Sequence, residues 1–305
     1  MQQTDSLRRF VFERYPFRGQ LVHLGPAWAA MMEHHDYPDR VRDSLGEAVA
    51  AAALLSSTLK YEGLLSLQLR GEGPMHLMLV ECTEGLAMRA VARFRDVPDT
   101  RDLRALSGNG TLTVTVESGS AANRYQGIVP LAGASMSECL RAYFEQSEQL
   151  PTRLWLHADG ESASGLLLQR LPVNSRPEGV TESGAGGVAE HEIEEAWHRV
   201  QLVADTVTSG ELAGLEDRDL LRRLFAEDDV RMFRSAPVFF RCRCSRERVG
   251  NMLRALGREE VDSVLAEFGQ VEVRCEFCSR AYRFDAVDVG TLFARGPDLP
   301  AGGIH

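Results

Sequence analysis

Alternation of apolar and polar side chains marks several β-strands in the first half of the chain. Residues 65–70 alternate leucine with polar residues, and residues 111–116 alternate threonine with leucine or valine. This period of two is typical of a strand with one buried face, and it predicts a mainly antiparallel sheet. Further strands are predicted at Met75–Val80, Gln126–Leu131, Arg153–His157 and Gly165–Leu171.

Two segments carry helical patterns instead. Residues 41–60 are rich in alanine, which has the highest helix propensity, and residues 137–148 form a second candidate helix. We expect these helices to cover the sheet. Residues 1–177 are therefore predicted to form an α+β core domain.

A polar stretch rich in Pro, Gly and Ser follows this domain and indicates a boundary. Residues 178–234 contain 14 acidic and 6 basic side chains, and they carry an apolar stripe at helical spacing followed by a second leucine-rich helical piece. The stripe consists of Ile193, Trp197, Val200, Ala204 and Val207. A stripe of this kind must pack on another surface, so the segment is predicted to be a metastable helical linker held by its neighbours.

Two close pairs of cysteines dominate the C-terminal part. Cys242-Arg243-Cys244 is separated by thirty residues from Cys275-Glu276-Phe277-Cys278. Two thiol pairs on a chain that folds back are the ligand set of a tetrahedral, structural zinc site, so we expect one Zn²⁺ per chain in the reduced form. Residues 235–290 are predicted to form a small module that depends on this metal, followed by a flexible tail at residues 291–305.

The same four thiols are candidates for redox chemistry. An oxidised thiolate can be trapped as a disulfide by a neighbouring thiol, and each pair holds such a neighbour. Pairing Cys242 with Cys244 and Cys275 with Cys278 would remove all four ligands at once. Seven arginines lie close to the cysteines in sequence, and they either favour the thiolate form or only neutralise the site: Arg241, Arg243, Arg246, Arg248, Arg274, Arg280 and Arg283.

Composition and missing motifs narrow the function. The net charge of −10 is unfavourable for general polyanion binding, and the sequence lacks a G-x-S-x-G, an H-E-x-x-H and a phosphate-loop motif. We therefore expect a cytoplasmic protein that is not an enzyme, with no membrane span and no nucleic-acid partner. Cys82 and Cys139 have no spaced partner and are interpreted as core residues.

Two other functions remain open at this point. The arginines near Cys242 and Cys244 would suit a zinc-ribbon nucleic-acid-binding protein, although aromatic stacking platforms are missing. A thiol-disulfide oxidoreductase would use a Cys-x-x-Cys pair, but it would place that pair at the start of a helix, whereas Cys275 follows a strand-like segment.

The cysteine pattern and several shorter motifs together resemble the 33 kDa chaperonin family of redox-regulated bacterial heat-shock holdases. The pairs stand in the contexts Cys242–Arg248 and Val273–Cys278. The other matching segments are Leu59–Gly63, Tyr125–Val129, Ser147–Thr152 and Gly165–Gln169.

The resemblance implies that zinc on the four reduced cysteines keeps the protein inactive. Oxidation would join the partners within each pair, expel zinc and unfold the linker. The active form would be a homodimer that binds unfolded client proteins without ATP in the cytoplasm. Residues 177–189 are the least family-like part, so the start of the linker is the boundary that the resemblance defines least well.

Overall fold

The computed structural model describes residues 5–59, 61–118, 123–172 and 188–294. The chain forms two compact units, Met1–Arg241 and Cys242–His305. Among the described residues, no helix has the length and apolar character needed to cross a membrane.

The first unit contains these strands: β1 (Ser6–Phe12), β2 (Phe17–Leu24), β3 (Gly63–Gly71), β4 (Met75–Thr83), β5 (Ala87–Phe94), β6 (Gly110–Ser118), β7 (Asn123–Pro130), β8 (Thr152–Ala158), β9 (Ala163–Arg170), β10 (Val230–Met232), β11 (Ala236–Pro237) and β12 (Phe239–Phe240). Its helices are α1 (Pro26–Met32), α2 (Asp39–Thr58), α3 (Leu103–Ser107), α4 (Met136–Tyr143, extended by a π-helical turn at Phe144–Glu148), α5 (Glu190–Ala204), α6 (Ser209–Gly214) and α7 (Asp217–Leu224).

The strands form two sheets where the pattern suggested one. The first has the order β10-β1-β2-β9-β8, with β11 also paired to β1, and the second has the order β12-β5-β4-β3-β6-β7. All pairs are antiparallel except β12 with β5. Every strand expected from the sequence is present, and β1, β2, β5 and β10 to β12 are additional. Seven of the eight residues of β2 are buried, so this strand shows no period of two.

Helix α2 packs against both sheets instead of covering only one. It contacts β8 and β9 of the first sheet and β4 and β5 of the second, and residues 48–56 are all buried. Small side chains allow this close approach: a Cβ atom added at Gly46 would lie 2.4 Å from the Cβ of Ala158. The alanine-rich composition thus reflects packing between two sheets as well as helix propensity.

Helices α5, α6 and α7 pack on the first sheet and belong to the first unit. The stripe residues Ile193, Trp197, Val200 and Ala204 are buried there, and Val207 is partly buried against the same cluster. The cluster also contains these sheet residues: Phe10, Phe12, Phe17, Leu21, Leu166 and Leu168. The single short helical piece expected after the stripe is two helices, because α6 ends at Gly214 and α7 begins at Asp217.

The linker's acidic residues have more basic partners than its own composition suggests. Arg170 of β9 pairs with both Glu190 and Glu194, and Arg14 lies 3.5 Å from Glu192. The excess of acids counted within residues 178–234 is therefore compensated in part by arginines outside that range. The described linker begins at residue 188, so its predicted start at 178 lies outside the described residues.

The strand β10 lies at the end of the predicted linker, and β11 and β12 lie between the linker and the second unit in sequence. The first two pair with β1 and the third pairs with β5, so residues 235–241, which the sequence analysis assigned to the zinc module, belong to the first unit. The unit boundary falls at residue 241, where the Arg241 backbone N–H donates to the carbonyl of Met88 at 2.9 Å.

The second unit contains α8 (Arg246–Leu256), α9 (Arg258–Phe268), a hairpin of β13 (Val271–Arg274) and β14 (Ala281–Phe284), and α10 (Ala286–Ala294). Strand β13 matches the strand-like segment expected before Cys275, whereas the three helices were not predicted. Residues 291–294, predicted as the start of a tail, complete α10, and the rest of that tail lies outside the described residues. The small hydrophobic core of the second unit consists of Val249, Leu253, Val261, Val271, Tyr282, Phe284 and Val289.

Candidate metal centre

The four paired cysteines of the second unit meet at one point. The Sγ atoms of Cys242, Cys244, Cys275 and Cys278 all lie within 4.8 Å of one another. Cys242 Sγ is 3.6 Å from Cys275 Sγ, and Cys244 Sγ is 3.5 Å from Cys278 Sγ. Each close contact thus joins one member of the first pair to one member of the second, as expected when a loop folds back on itself.

Local structure presents the first pair just before a helix. Ser245 follows Cys244 and caps α8, because its hydroxyl accepts a hydrogen bond from the backbone N–H of Arg248 at 3.2 Å. The cap ends the extended segment that contains both cysteines and fixes where the chain turns into the helix.

A tight turn between β13 and β14 presents the second pair. The N–H of Ser279 donates to the carbonyl of Cys275 at 2.8 Å, and the N–H of Cys275 donates to the carbonyl of Arg280 at 3.0 Å. Ser279 adopts a φ of 52°, a left-handed conformation that closes the turn. These two hydrogen bonds fix the backbone of the turn from Cys275 to Arg280, which carries both cysteines.

The thiols influence one another's ionisation. Burial raises the pKa of Cys242, but hydrogen bonds from the backbone N–H of Cys244 and from the neighbouring thiols outweigh this effect and lower the pKa to about 7. Burial raises the pKa values of Cys275 and Cys278, and the contacts with neighbouring thiols raise them more. Thiolates at this separation repel one another, so ionisation of all four cysteines would need a cation among them.

The geometry fits a tetrahedral thiolate-bound metal ion. Zinc–sulfur bonds of about 2.3 Å place tetrahedral sulfurs roughly 3.8 Å apart, close to the two separations observed. Four sulfurs would complete the coordination and leave no position for a reacting water. The four cysteines could therefore hold a metal ion in a structural role.

Most of the nearby arginines engage partners of their own. Arg246 donates to Asp288 at 2.6 Å, and Arg274 and Arg283 both pair with Glu272. The charge of Arg280, in contrast, interacts with the sulfurs of Cys244 and Cys278. Three of the seven arginines therefore pair with carboxylates, which is neither of the two roles considered from the sequence, and this pairing reduces the positive charge available to a nucleic acid.

The remaining cysteines lie in the first unit. Cys82 on β4 and Cys139 on α4 are buried in its main core, as expected for small apolar residues. Burial raises the pKa of the Cys82 thiol to about 11, which disfavours the reactive thiolate.

Sequence reasoning missed polar contacts at the cysteine cluster and at the linker. Tyr282 donates a hydrogen bond from its hydroxyl to Cys244 Sγ at 3.0 Å. Asp217 of α7 is buried, pairs with Arg8 and lies 3.1 Å from His23 Nε2. The position of Tyr282 four residues after Cys278 was visible in the sequence, whereas nothing in the sequence connects Asp217 with two residues more than 190 positions away.

Comparisons with known proteins show the family and the fold of this chain. The model of the family described as Hsp33 protein matches residues 5–285. The chain belongs to the Hsp33 family. Its curated relatives include a 33 kDa chaperonin of Methylobacillus flagellatus, 42% identical over 100% of both chains, and one of Ectopseudomonas mendocina, 44% identical over 99% of this chain and 100% of the relative.

A solved structure shares the fold of this Hsp33 family member. The crystal structure of the 33 kDa chaperonin (heat shock protein 33 homologue) of Thermotoga maritima matches with a TM-score of 0.79 at 21% identity, covering 95% of this chain and 98% of the other. Together the family and its named members support a chaperone role and confirm the α+β fold with a C-terminal cysteine cluster.

Proposed function

We propose that this chain is an ATP-independent holdase that is inactive when reduced and zinc-bound and becomes active on oxidation. The observation that carries the proposal is the cluster of four Sγ atoms within 4.8 Å in a chain of a chaperone family. Because each pair contains two cysteines close in sequence, every ligand has a partner with which it can form a disulfide.

The reduced state gains its stability from the bound ion. The hydrophobic core of the second unit contains only seven buried residues, so this core by itself supports the fold weakly. A structural zinc ion supplies about 10–16 kcal/mol in small domains of this kind. Coordination by Cys242, Cys244, Cys275 and Cys278 would therefore stabilise the whole unit.

Oxidation removes the ligands in pairs. A peroxide takes two electrons from two thiolates, which yields one disulfide and two hydroxide ions, so two peroxide molecules convert the four thiolates into the bonds Cys242–Cys244 and Cys275–Cys278. A disulfide sulfur is a poor ligand for zinc, so this oxidation releases the ion. The unit then loses its main source of stability.

The linker helices provide the surface that opens next. Helices α5, α6 and α7 bury aromatic and aliphatic side chains of the first sheet, among them Phe10, Phe12 and Phe17. Undocking these helices would expose a contiguous apolar face, which is the chemistry that an unfolded client protein recognises. We therefore propose that the stripe from Ile193 to Val207 holds the linker helices on the first sheet in the reduced protein, and we call this stripe the latch.

The connection between switch and latch runs along the chain. Arg241, the residue before Cys242, is hydrogen-bonded to β5, and β10 and β11 pair with β1 only a few residues earlier. We propose that loss of the metal loosens residues 235–241, the segment of chain that joins Cys242 to the linker. We further propose that the oxidised form dimerises and acts in the cytoplasm on client proteins damaged by heat or oxidation.

One experiment tests the proposal as a whole. Zinc content and suppression of light scattering by a heat-unfolding client are measured in the same reduced and peroxide-treated samples, without ATP. We expect zinc-loaded, inactive protein before oxidation, zinc-free active protein after it, and recovery of the first state on reduction with zinc present. Equal protection by the reduced zinc form would disprove the redox switch, although a chaperone role would survive.

A further inference from the structure

The charges at the contact between the linker helices and the first sheet are distributed unevenly. Arg170 at the end of β9 pairs with both Glu190 and Glu194 of α5. Arg14, in the turn between β1 and β2, lies 3.5 Å from Glu192 of the same helix. The beginning of α5 therefore places three carboxylates against arginines that belong to the sheet or to its connecting turn.

Two further linker contacts have the same polarity. Asp217 of α7 pairs with Arg8 of β1. Asp205, the residue after α5, accepts a hydrogen bond from the indole N–H of Trp155 on β8 at 3.0 Å. In these contacts the acidic group lies on the linker and the donor lies on the sheet.

Ion pairs made by arginines of the linker keep to this distribution. Two of them join linker residues to each other: Arg199 with Asp228, and Arg223 with Glu211. Arg231 does pair with Glu13, the residue after β1, but Arg231 lies on β10, which is itself a strand of the first sheet. The contact between helices and sheet is thus electrostatically polarised, with carboxylates on the helices and arginines on the sheet.

The same helices bury an apolar surface of the sheet. Phe10, Phe12 and Phe17 form an aromatic floor, and Ile193 and Trp197 of α5 are buried in the same cluster. The linker therefore offers apolar side chains together with carboxylates, and the sheet offers the complement of both.

Undocking of the linker would leave Arg8, Arg14 and Arg170 without their linker carboxylates. The side chain of Arg170 is only 15% exposed while the linker is docked, so it would become much more accessible. An arginine stays charged, and its planar guanidinium binds carboxylates through paired hydrogen bonds. Beside an apolar surface the effective dielectric constant is lower than in water, which strengthens the attraction for a new carboxylate.

We propose that the face uncovered by the linker selects client segments that combine apolar side chains with carboxylates. Such a segment takes over both kinds of contact that α5 makes, with apolar side chains on the aromatic floor and carboxylates on Arg8, Arg14 and Arg170. Helix α5 is then an internal competitor of the client, and a bound acidic segment hinders the linker from docking again. This selectivity rests on the proposed function, in which oxidation releases the linker.

Two labelled peptides test the selectivity on the oxidised, full-length protein. The acidic peptide has the sequence of residues 189–206, and the neutral peptide differs only by Gln at positions 190, 192 and 194 and Asn at position 205. Both keep the apolar stripe of α5. Fluorescence anisotropy should show that the acidic peptide binds about three- to thirtyfold more tightly, the combined effect of several ion pairs. The difference should shrink between about 0.05 M and about 0.5 M salt, because salt screens exposed charges.

Arginine variants locate the selectivity on this face. Arg170→Gln removes the partner of two carboxylates, so it should weaken binding of the acidic peptide about two- to tenfold and leave the neutral peptide unaffected. Arg14→Gln should act in the same direction with a smaller effect, and its exposed position in a turn keeps the fold intact. Arg124→Gln, at an exposed arginine of β7 in the second sheet, is the matched control and should change neither affinity.

Peptide binding and protection of a heat-unfolding client are separate measurements, so this selectivity and the proposed function can fail independently. Equal affinity for the two peptides, or binding of neither, would overturn the selectivity even if the oxidised protein protects clients. Displacement of the acidic peptide by an equal concentration of single-stranded RNA would assign the arginines to polyanions and overturn it as well. A preference for the acidic peptide that Arg170→Gln reduces would support it even if the oxidised protein fails to prevent aggregation.

Discussion

The indole ring of Trp197 on α5 lies against the ring of Phe17 on β2, with the two centroids 5.1 Å apart. This contact joins the linker to the first sheet at the centre of the cluster that the linker helices cover. Aromatic pairs at this distance contribute more than their buried area alone, so the contact is a natural place to weaken the latch.

Trp197→Ser is therefore expected to undock the linker in part without oxidation. Truncating a large buried aromatic side chain costs about 3–5 kcal/mol, which is large compared with the stability of a peripheral element. The reduced variant should be cleaved faster by protease within residues 188–234 and should protect clients partially. Leu202→Ser is the matched control, because Leu202 is on the same helix but is 54% exposed. Equal cleavage of Trp197→Ser and the native chain would contradict the latch.

Asp217 provides a second, polar attachment of the linker. Its side chain is only 11% exposed, pairs with Arg8 and lies 3.1 Å from His23 Nε2. Removing one partner of a buried ion pair costs about 3–5 kcal/mol, because the remaining charge is left without compensation. We expect Asp217→Asn to increase protease cleavage of the reduced linker, whereas Asp219→Asn, at an exposed position of the same helix, should not. If the two variants are cleaved alike, the buried pair does not hold the linker.

The Asp217 contact also has a defined pH dependence. Burial raises the pKa of Asp217, but the interactions with His23 and Arg8 outweigh it and leave the pKa below its ordinary value. A carboxyl with a lowered folded-state pKa stabilises the folded form above its unfolded pKa of about 4, and this contribution is lost as the pH falls through the folded value. The resistance of the linker to protease should therefore persist from pH 8 to about pH 5 and decline only in stronger acid. Limited proteolysis with an acid-tolerant protease measures this resistance.

Glu47 is expected to produce the opposite trend in the first unit. It lies on α2 in a cleft of about 410 Å³ beside Arg153 and Ser209, and burial, reinforced by Asp43 and opposed by Arg101, raises its pKa to about 7. Because the folded pKa is above the unfolded one, the contribution of Glu47 to the free energy of unfolding is greatest below about pH 4.5 and is lost as the pH rises through 7. Glu47→Gln should remove this slope and increase the free energy of unfolding at pH 8 by about 3 kcal/mol at most.

Denaturant unfolding at pH 5 and pH 8 provides the measurement for Glu47. Glu145→Gln, at an exposed carboxylate of the π-helical turn after α4, is the control and should leave the pH profile unchanged. A native profile that stays flat between these two pH values would show that Glu47 is solvated or paired in solution.

Metal analysis tests the ligand set. We expect one zinc per chain in reduced protein, and near-complete loss after Cys275→Ser, because three thiolates bind the ion much more weakly than four. Cys82→Ser and Cys139→Ser should retain the zinc, since both residues lie in the core of the first unit. Chelation should abolish the helical signal of α8 to α10 and spare most of the first unit, as followed by circular dichroism and proteolysis. A ratio near zero in the native reduced chain would refute the assignment.

The sequence alone determined the features that depend on local pattern. Strand-like segments, two of them strictly alternating, located β3, β4 and β6 to β9, and alanine content located α2. A second helical segment located α4, helical spacing located the stripe of α5, and the spacing of Cys242, Cys244, Cys275 and Cys278 marked the candidate ligands. These signals survive folding because they arise from periods of two or 3.6 residues, or from ligands within a few positions of each other. The two cysteine pairs needed only one loop to meet.

The tertiary structure decided what each local element packs against. Alternation cannot show that α2 is buried between two sheets, nor reveal β2, which has seven buried residues of eight and therefore no polar face. Nor does composition show that Arg170 and Arg14 pair with linker acids, or that Asp217 meets Arg8 and His23, because ion pairs join residues that only the folded chain brings together. The hydroxyl of Tyr282 reaches Cys244 for the same reason: the register of a hairpin and the packing of one ring set a distance that no spacing in the sequence contains.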